Sequence, residues 1–185
     1  MNGRGWLVIL LVVTACAAAV ILWHSRERKF KVPMAHGRTA FTFIVPANKA
    51  VVFPLFGASG ERAWGTHGAG QPWDPQFIWP QPEHDVEGEV FLVNHGHRGK
   101  TATWINTAFD AETGHVQYVY VLPDEIVTRI DIHVIARDPQ TTQVDVVYDQ
   151  TALNRSVNAS IAERTEHDQD MAKEWRQQIS TALKK

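Results

Sequence analysis

The sequence predicts an α+β domain preceded by a transmembrane helix, and three patterns carry this prediction. An uncharged apolar run fills residues 6–23, segments rich in β-branched and aromatic residues fill 89–151, and apolar residues recur at helical spacing near the C-terminus. Alternation with a period of two is typical of half-buried strands, whereas spacings of three and four mark one face of a helix. A run of strands followed by a helix favours an antiparallel sheet with a helix packed on it.

The apolar run, WLVILLVVTACAAAVILW, has the length of a bilayer-spanning helix. About 18 residues at about 1.5 Å each span about 27 Å, close to the thickness of the hydrocarbon core. Trp6 and Trp23 stand at its two ends, where tryptophan favours the headgroup level. The predicted organisation is therefore an N-terminal flank (1–5), a transmembrane helix (6–23), a basic linker (24–38) and one domain (39–185).

Flanking charge predicts which side of the membrane the domain occupies. Arg26, Arg28, Lys29 and Lys31 follow the run, against Arg4 alone before it. Because Lys and Arg prefer the cytoplasmic side, we expect a single-pass protein of a bacterial inner membrane with its domain in the cytoplasm. The membrane is thus the first predicted partner of the chain.

Two cleaved alternatives remain open for the same segment. Alanines within the run could form a signal-peptide cleavage site for an exported domain, and Val13-Thr14-Ala15-Cys16 resembles a lipoprotein box with Cys16 bearing the lipid. The apolar run continues beyond both sites to Trp23, so cleavage would leave an apolar stub on the mature chain. This continuation favours the uncleaved helix.

Composition excludes several function classes. A net charge of -2 argues against a general nucleic-acid binder. With one cysteine, Cys16, the chain can build neither an internal disulfide nor a thiolate metal cluster. The roughly 150 residues after the run suffice for a domain with its own core.

Turn and cap residues divide the domain into elements. We expect a first strand over Thr39–Val45 ended by Pro46, a short helix over Lys49–Phe56 capped by Asn48, a helical turn over Ser59–Trp64, a loop over Gly65–Asp74 and a short strand over Gln76–Trp79. Five further strands are expected over Glu89–His95, Thr101–Phe109, His115–Leu122, Glu125–Arg137 and Thr141–Thr151.

Alternation assigns the residues of the predicted strand over Glu125–Arg137 to its two faces. Ile126, Thr128, Ile130, Ile132 and Val134 share one face, while Arg129, Asp131 and His133 share the other and predict a water-facing charge ladder. The chain then ends in one long predicted helix, which starts near a capping box of Ser160 and Glu163. Its stripe comprises Ile161, Thr165, Asp168, Met171, Trp175, Ile179 and Leu183.

This order of elements resembles the SRPBCC superfamily of helix-grip domains, which includes START-type lipid carriers, polyketide cyclases and birch-pollen-allergen relatives. The resemblance rests on FTFIVPANKAVVFPLF, GERAW, TATWINTAFDAETGHVQYVYV, VVYDQTALN and MAKEWRQQISTAL, and covers about residues 39–183. It implies a curved antiparallel sheet wrapped around a long C-terminal helix. Such a superfold hosts many activities, so the resemblance leaves the activity open.

The resemblance also implies an apolar cavity between sheet and helix that holds a lipid or another small hydrophobic ligand. Aromatic residues with polar tips suit such a cavity, although the same residues can simply fill a core. The candidate cavity residues are Trp64, Trp79, Trp104, Tyr118, Tyr120, Tyr148, Met171 and Trp175. A ligand-free protein-interaction domain and a cyclase- or dehydratase-like enzyme are the alternatives, and binding is favoured over catalysis.

Candidate chemical sites are few, and we expect no catalytic residue, cofactor or metal. His95 and His97 could face the same way with Glu83, His84 or Asp85 nearby, but a solvated turn is favoured over a zinc site. The acidic stretch Glu83–Glu89 is expected to be an exposed loop. For acid/base work in a pocket, Tyr118, Tyr120, Asn106 and His115 are the candidates.

Overall fold

A computed structural model describes residues 33–67, 70–94, 100–168 and 170–184. Residues Met34–Lys185 form one compact unit. Among the described residues, no helix is both long and apolar enough to cross a bilayer. The predicted transmembrane helix over 6–23, the flank before it and the linker as far as residue 32 lie outside the described residues.

A seven-stranded antiparallel sheet forms the core of the domain. The strands are β1 His36–Val45, β4 Gln76–Trp79, β5 Val90–Asn94, β6 Thr101–Asp110, β7 His115–Leu122, β8 Ile126–Asp138 and β9 Thr141–Ala152, and a separate hairpin pairs β2 Thr66–His67 with β3 Gln71–Pro72. The order in the sheet is β1-β9-β8-β7-β6-β5-β4, so each strand from β4 to β9 pairs with the next in sequence, and β1 pairs with β9.

Strict alternation of buried and more exposed residues runs along the long strands, as the sequence predicts. In β8, Ile126, Thr128, Ile130, Ile132 and Val134 are buried, while Arg129 and His133 on the opposite face are exposed. The strand β1 begins earlier than expected, since His36, Gly37 and Arg38 pair with the extended end of β9. These three residues therefore belong to the sheet and not to the predicted linker.

The turn between β6 and β7 shows how local residues set the register of the sheet. The Asp110 carboxylate accepts hydrogen bonds from the backbone N–H of Glu112 (2.8 Å) and from the Thr113 hydroxyl (2.8 Å). Gly114 closes the turn with φ of 81°, a left-handed conformation that favours glycine. This turn places His115 directly opposite Asp110.

Short helical segments cross from β1 to the far edge of the sheet. The Asn48 side chain caps α1 (Lys49–Val52) by accepting from the Val51 N–H at 3.0 Å. The predicted helix over 49–56 is divided, because the chain continues as a 3-10 turn over Phe53–Phe56, where Pro54 lacks an N–H for a longer α-helix. A second 3-10 turn covers Gly60–Ala63.

The prediction of one continuous C-terminal helix is wrong, because two helices take its place. After a 3-10 turn over Arg155–Val157, α2 covers Asn158–Asp168 and α3 covers Met171–Ala182. Asp168 at the end of α2 is buried and accepts a hydrogen bond from Gln150 of β9. The Ser160 hydroxyl donates to the Val157 carbonyl, so it does not form the predicted capping box.

Candidate ligand-binding cavity

A cavity of about 240 Å³ lies between the sheet and the C-terminal helices. Its floor is the inner face of the sheet, with Trp104, Tyr118, Tyr120, Ile130, Ile132 and Tyr148. A second wall comes from the end of α2 and the start of α3, with His167, Asp168, Met171, Glu174 and Trp175. A third wall comes from the small hairpin and the residues beside it, with Glu61, Trp64, Gly65, Thr66 and Trp73.

Aromatic rings pack against one another around this cavity. Trp175 meets Trp64 edge-on at 5.2 Å and Phe41 of β1 at 5.6 Å between ring centroids. Trp104 stacks on Tyr120 at 4.4 Å. The indole N–H of Trp64 donates to the Leu55 carbonyl (2.7 Å), which holds the ring in place. The rings therefore support the core and line the cavity at the same time.

All three tyrosines of the chain face the cavity. The Tyr118 hydroxyl donates to the Phe56 carbonyl (3.0 Å) and lies 3.4 Å from the Glu89 carboxylate. Burial raises the pKa of Tyr118 and that of Tyr148 well above the ordinary value, and nearby carboxylates add to both shifts. Burial also raises the pKa of Tyr120. All three phenols are therefore neutral, hydrogen-bonding groups at physiological pH.

Three carboxyl groups, Glu61, Asp168 and Glu174, complete the polar part of the lining. Burial raises the pKa of Asp168 to about 6, against the opposing effects of His167, Arg164 and the hydrogen bond from Gln150. Burial raises the pKa of Glu61 well above its ordinary value, and the charges of Asp85 and Glu89 reinforce that shift. The cavity thus combines aromatic walls with groups that can exchange hydrogen bonds or bind a cation.

A further carboxyl group, Glu89, lies directly behind Tyr118. It is fully buried and accepts from the Asn106 amide (3.1 Å) and from the Val86 N–H (3.0 Å). Burial raises its pKa to about 7, although these hydrogen bonds act in the opposite direction. The expectation of an exposed acidic loop over Glu83–Glu89 is therefore wrong for Glu89, which is a core residue.

Solved structures of other proteins share this arrangement of sheet and helices. Norcoclaurine synthase from Thalictrum flavum superposes with a TM-score of 0.59 at 11% identity, over 83% of this chain and 90% of that one. An uncharacterised protein from Bacillus thuringiensis gives 0.56 at 14% identity over 80% and 100%, and Ara h 8.0201 gives 0.53 at 11% over 82% and 100%. The chain has the helix-grip fold. No family model and no curated protein matches its sequence.

Within this helix-grip domain, all but one of the predicted cavity residues line the cavity. Trp64, Trp104, Tyr118, Tyr120, Tyr148, Met171 and Trp175 do so. Trp79 does not, because it ends the edge strand β4 with half of its surface exposed (51%) and packs near Gly88. Its aromatic character suggested a buried position, but an edge strand has only one neighbour to cover it.

Of the predicted acid/base residues, Tyr118 and Tyr120 line the cavity and Asn106 pairs with Tyr118 across the strands, so the fold separates only His115 from the set. Asn106 is buried and bonded to Glu89, and His115 lies on the outer face of the sheet, where it contacts Asp131. His95 and His97 lie outside the described residues. Sequence reasoning missed Glu61 and Glu89 because both stand in polar stretches. Asp168 carried a usable signal, since it falls on the inward stripe of the last helical segment.

Proposed function

We propose that the domain binds a small, largely apolar molecule carrying a hydroxyl or amine group in the cavity between the sheet and α2–α3. The observation that carries this proposal is an aromatic cavity with neutral phenols and three carboxyl groups on its lining. Ligand sites in proteins are concave and mostly apolar, with a few polar groups that fix orientation. This lining has that character.

The volume limits the size of the ligand. Pockets for drug-sized molecules enclose about 300–1,000 Å³, and the cavity here encloses about 240 Å³. A molecule with one or two fused rings fits this space. A whole phospholipid or a sterol would have to leave much of its surface outside, so we favour a small aromatic ligand over a bulky lipid.

The charges around the cavity determine which polar group on a ligand can be accommodated. Asp168 and Glu174 stand on the lining, with Arg164 near Asp168. With a pKa of about 6, Asp168 is largely ionised at neutral pH. A ligand carboxylate beside Asp168 would be repelled, whereas an amine or a hydroxyl can donate a hydrogen bond to it.

A matched probe series tests this proposal. We would titrate a fragment comprising residues 34–185 with 2-naphthol, 2-naphthylmethylamine and 2-naphthoate, and follow binding by calorimetry. We expect the amine and the alcohol to bind at least about tenfold more tightly than the carboxylate, a difference of about 1.4 kcal/mol. Equal binding of all three, or none, would contradict it.

Two substitutions on α3 test whether the probe binds inside the cavity. Met171 lines the cavity, so Met171→Trp fills space that a ligand needs, whereas Lys173 is exposed on the same helix and Lys173→Trp adds the same ring outside. We expect the first variant to lose probe binding and the second to keep it.

Organic extraction of protein purified from its host, followed by mass spectrometry, would then identify the natural ligand class.

We further propose that residues 6–23 hold this domain at a membrane, with the domain in the cytoplasm. What supports this is the length of the apolar run and the basic residues that follow it. A tether would keep the cavity close to ligands that partition into the bilayer. Retention in the membrane fraction after alkaline extraction, with a C-terminal reporter active only in the cytoplasm, is the expected result. Release, or an externally active reporter, would favour the lipoprotein or exported alternatives.

A further inference from the structure

Two histidines lie side by side on the outer face of the sheet, away from the cavity. His115 of β7 and His133 of β8 are direct cross-strand partners. Their rings are parallel within 5°, with centroids 4.7 Å apart. Asp131 precedes His133 by two residues and therefore lies on the same face of β8.

The three side chains converge on one point. Oδ1 of Asp131 lies 2.8 Å from Nε2 of His115 and 3.5 Å from Nε2 of His133. One ligand atom from each of the three residues lies within 4.8 Å of the others. Two imidazole nitrogens and a carboxylate oxygen are a frequent ligand set for divalent first-row transition metals.

We propose that His115, Asp131 and His133 form a binding site for a divalent transition-metal ion, with Zn²⁺ as the reference ion. Ligand atoms bound to Zn²⁺ at about 2.0–2.2 Å lie about 3.4 Å apart in a tetrahedral site. Oδ1 of Asp131 already lies at this separation from Nε2 of His133 (3.5 Å), whereas Nε2 of His115, at 2.8 Å, must move away from it to admit the ion. His133 is half exposed, so its side chain can rotate to bring its imidazole nitrogen to the ion. Water completes the coordination.

Neighbouring groups prepare the site for a cation. Gln117 donates from Nε2 to Oδ2 of Asp131 (3.1 Å), which fixes the carboxylate with Oδ1 towards the imidazoles. Such outer hydrogen bonds orient metal ligands in known sites. Asp145 of β9 stands opposite His133, and Asp110 of β6 stands opposite His115. The nearby cation on β8, Arg129, is engaged by Asp149.

Calorimetry on the full-length, tag-free protein in detergent tests the site. We would titrate ZnCl₂ into the wild type and into His133→Ala and Asp131→Asn, and record the visible absorption of bound Co²⁺. We expect one saturable Zn²⁺ per chain, and a loss of at least about tenfold in affinity in each variant. Thermal unfolding of the metal-free variants checks that they remain folded.

Other histidines supply the matched controls. His84 is exposed and lies away from the cluster, so His84→Ala should bind Zn²⁺ as the wild type does. The double variant His95→Ala/His97→Ala removes the pair that the sequence alone suggests, and it should also retain binding. Absence of saturable binding, or wild-type affinity in folded His133→Ala and Asp131→Asn, would overturn the proposal, as would loss of binding in the double variant alone.

Discussion

The inner and outer faces of the sheet are built from alternate residues of the same strands, yet they have different chemistry. On the inner face, Tyr118, Ile130 and Tyr148 are buried and line the cavity. On the outer face, the adjacent residues of the same strands are polar: Gln117 donates a hydrogen bond to Asp131, and Arg129 pairs with Asp149. Alternation with a period of two therefore places the cavity on one face of the sheet and a polar, water-facing surface on the other.

Carboxyl groups show the difference most clearly. Burial raises the pKa of Glu89 to about 7 on the inner side of the sheet. On the outer side, partial burial of Asp149 is outweighed by hydrogen bonds and charge from Arg129 and Arg38, which hold its pKa below the ordinary value. Burial therefore makes the inner carboxyl group keep its proton to a higher pH, whereas the outer carboxylate is stabilised in its charged form.

The largest expected effect is on the aromatic wall of the cavity. Trp175→Ala removes a ring that contacts Phe41, Phe56 and Trp64, so we expect the free energy of unfolding to fall by about 3–5 kcal/mol. Trp79→Ala is the matched control, because this exposed ring should contribute less than about 0.5 kcal/mol. Denaturant unfolding measures both. Similar losses in the two variants would contradict the assignment of Trp175 to the core.

The next effect is the dependence of stability on pH. Between about pH 4 and 7 the folded state keeps protons on Glu89 and Asp168 that the unfolded chain releases, so the free energy of unfolding falls as pH rises. We expect a loss of about 3 kcal/mol from Glu89 alone, complete slightly above pH 7.

Glu89→Gln should reduce the slope of this pH profile and leave the part due to Asp168, and unfolding curves recorded from pH 4 to 8 would show it. Glu87→Gln changes an exposed neighbour and should leave the slope unchanged. A slope in Glu89→Gln equal to that of the wild type would show that Glu89 does not titrate in this range in the folded protein.

The smallest effect is expected on the outer face. Arg129→Ala removes an exposed ion pair with Asp149, and such pairs contribute about 0–1 kcal/mol. We expect a loss within this range at low salt that shrinks in 0.5 M NaCl, while the loss in Trp175→Ala stays constant with salt. A large, salt-independent loss in Arg129→Ala would remove the distinction between the faces.

Alternation made the sheet predictable, because each strand buries one face. The candidate cavity residues followed from the resemblance to helix-grip domains and from their aromatic character, since alternation alone does not say which face of a strand points inward. The division of the last helix was not predictable, since the helical spacing of its residues continues across the break, and the bond that Asp168 makes there with Gln150 joins different elements. The burial of Glu89 has the same origin, because Asn106, its amide partner, is distant in sequence. Trp79 does not line the cavity because it ends an edge strand, which has a neighbouring strand on one side only.

Methyl NMR on the fragment comprising residues 34–185 tests the central claim most directly. Ile130 and Ile132 line the cavity, whereas Ile105 and Ile135 are exposed. Titration with 2-naphthylmethylamine should shift the methyl signals of Ile130 and Ile132 in a saturable manner and leave those of Ile105 and Ile135 in place. Saturable shifts at Ile105 or Ile135 with none at Ile130 and Ile132 would show that the cavity is not the binding site.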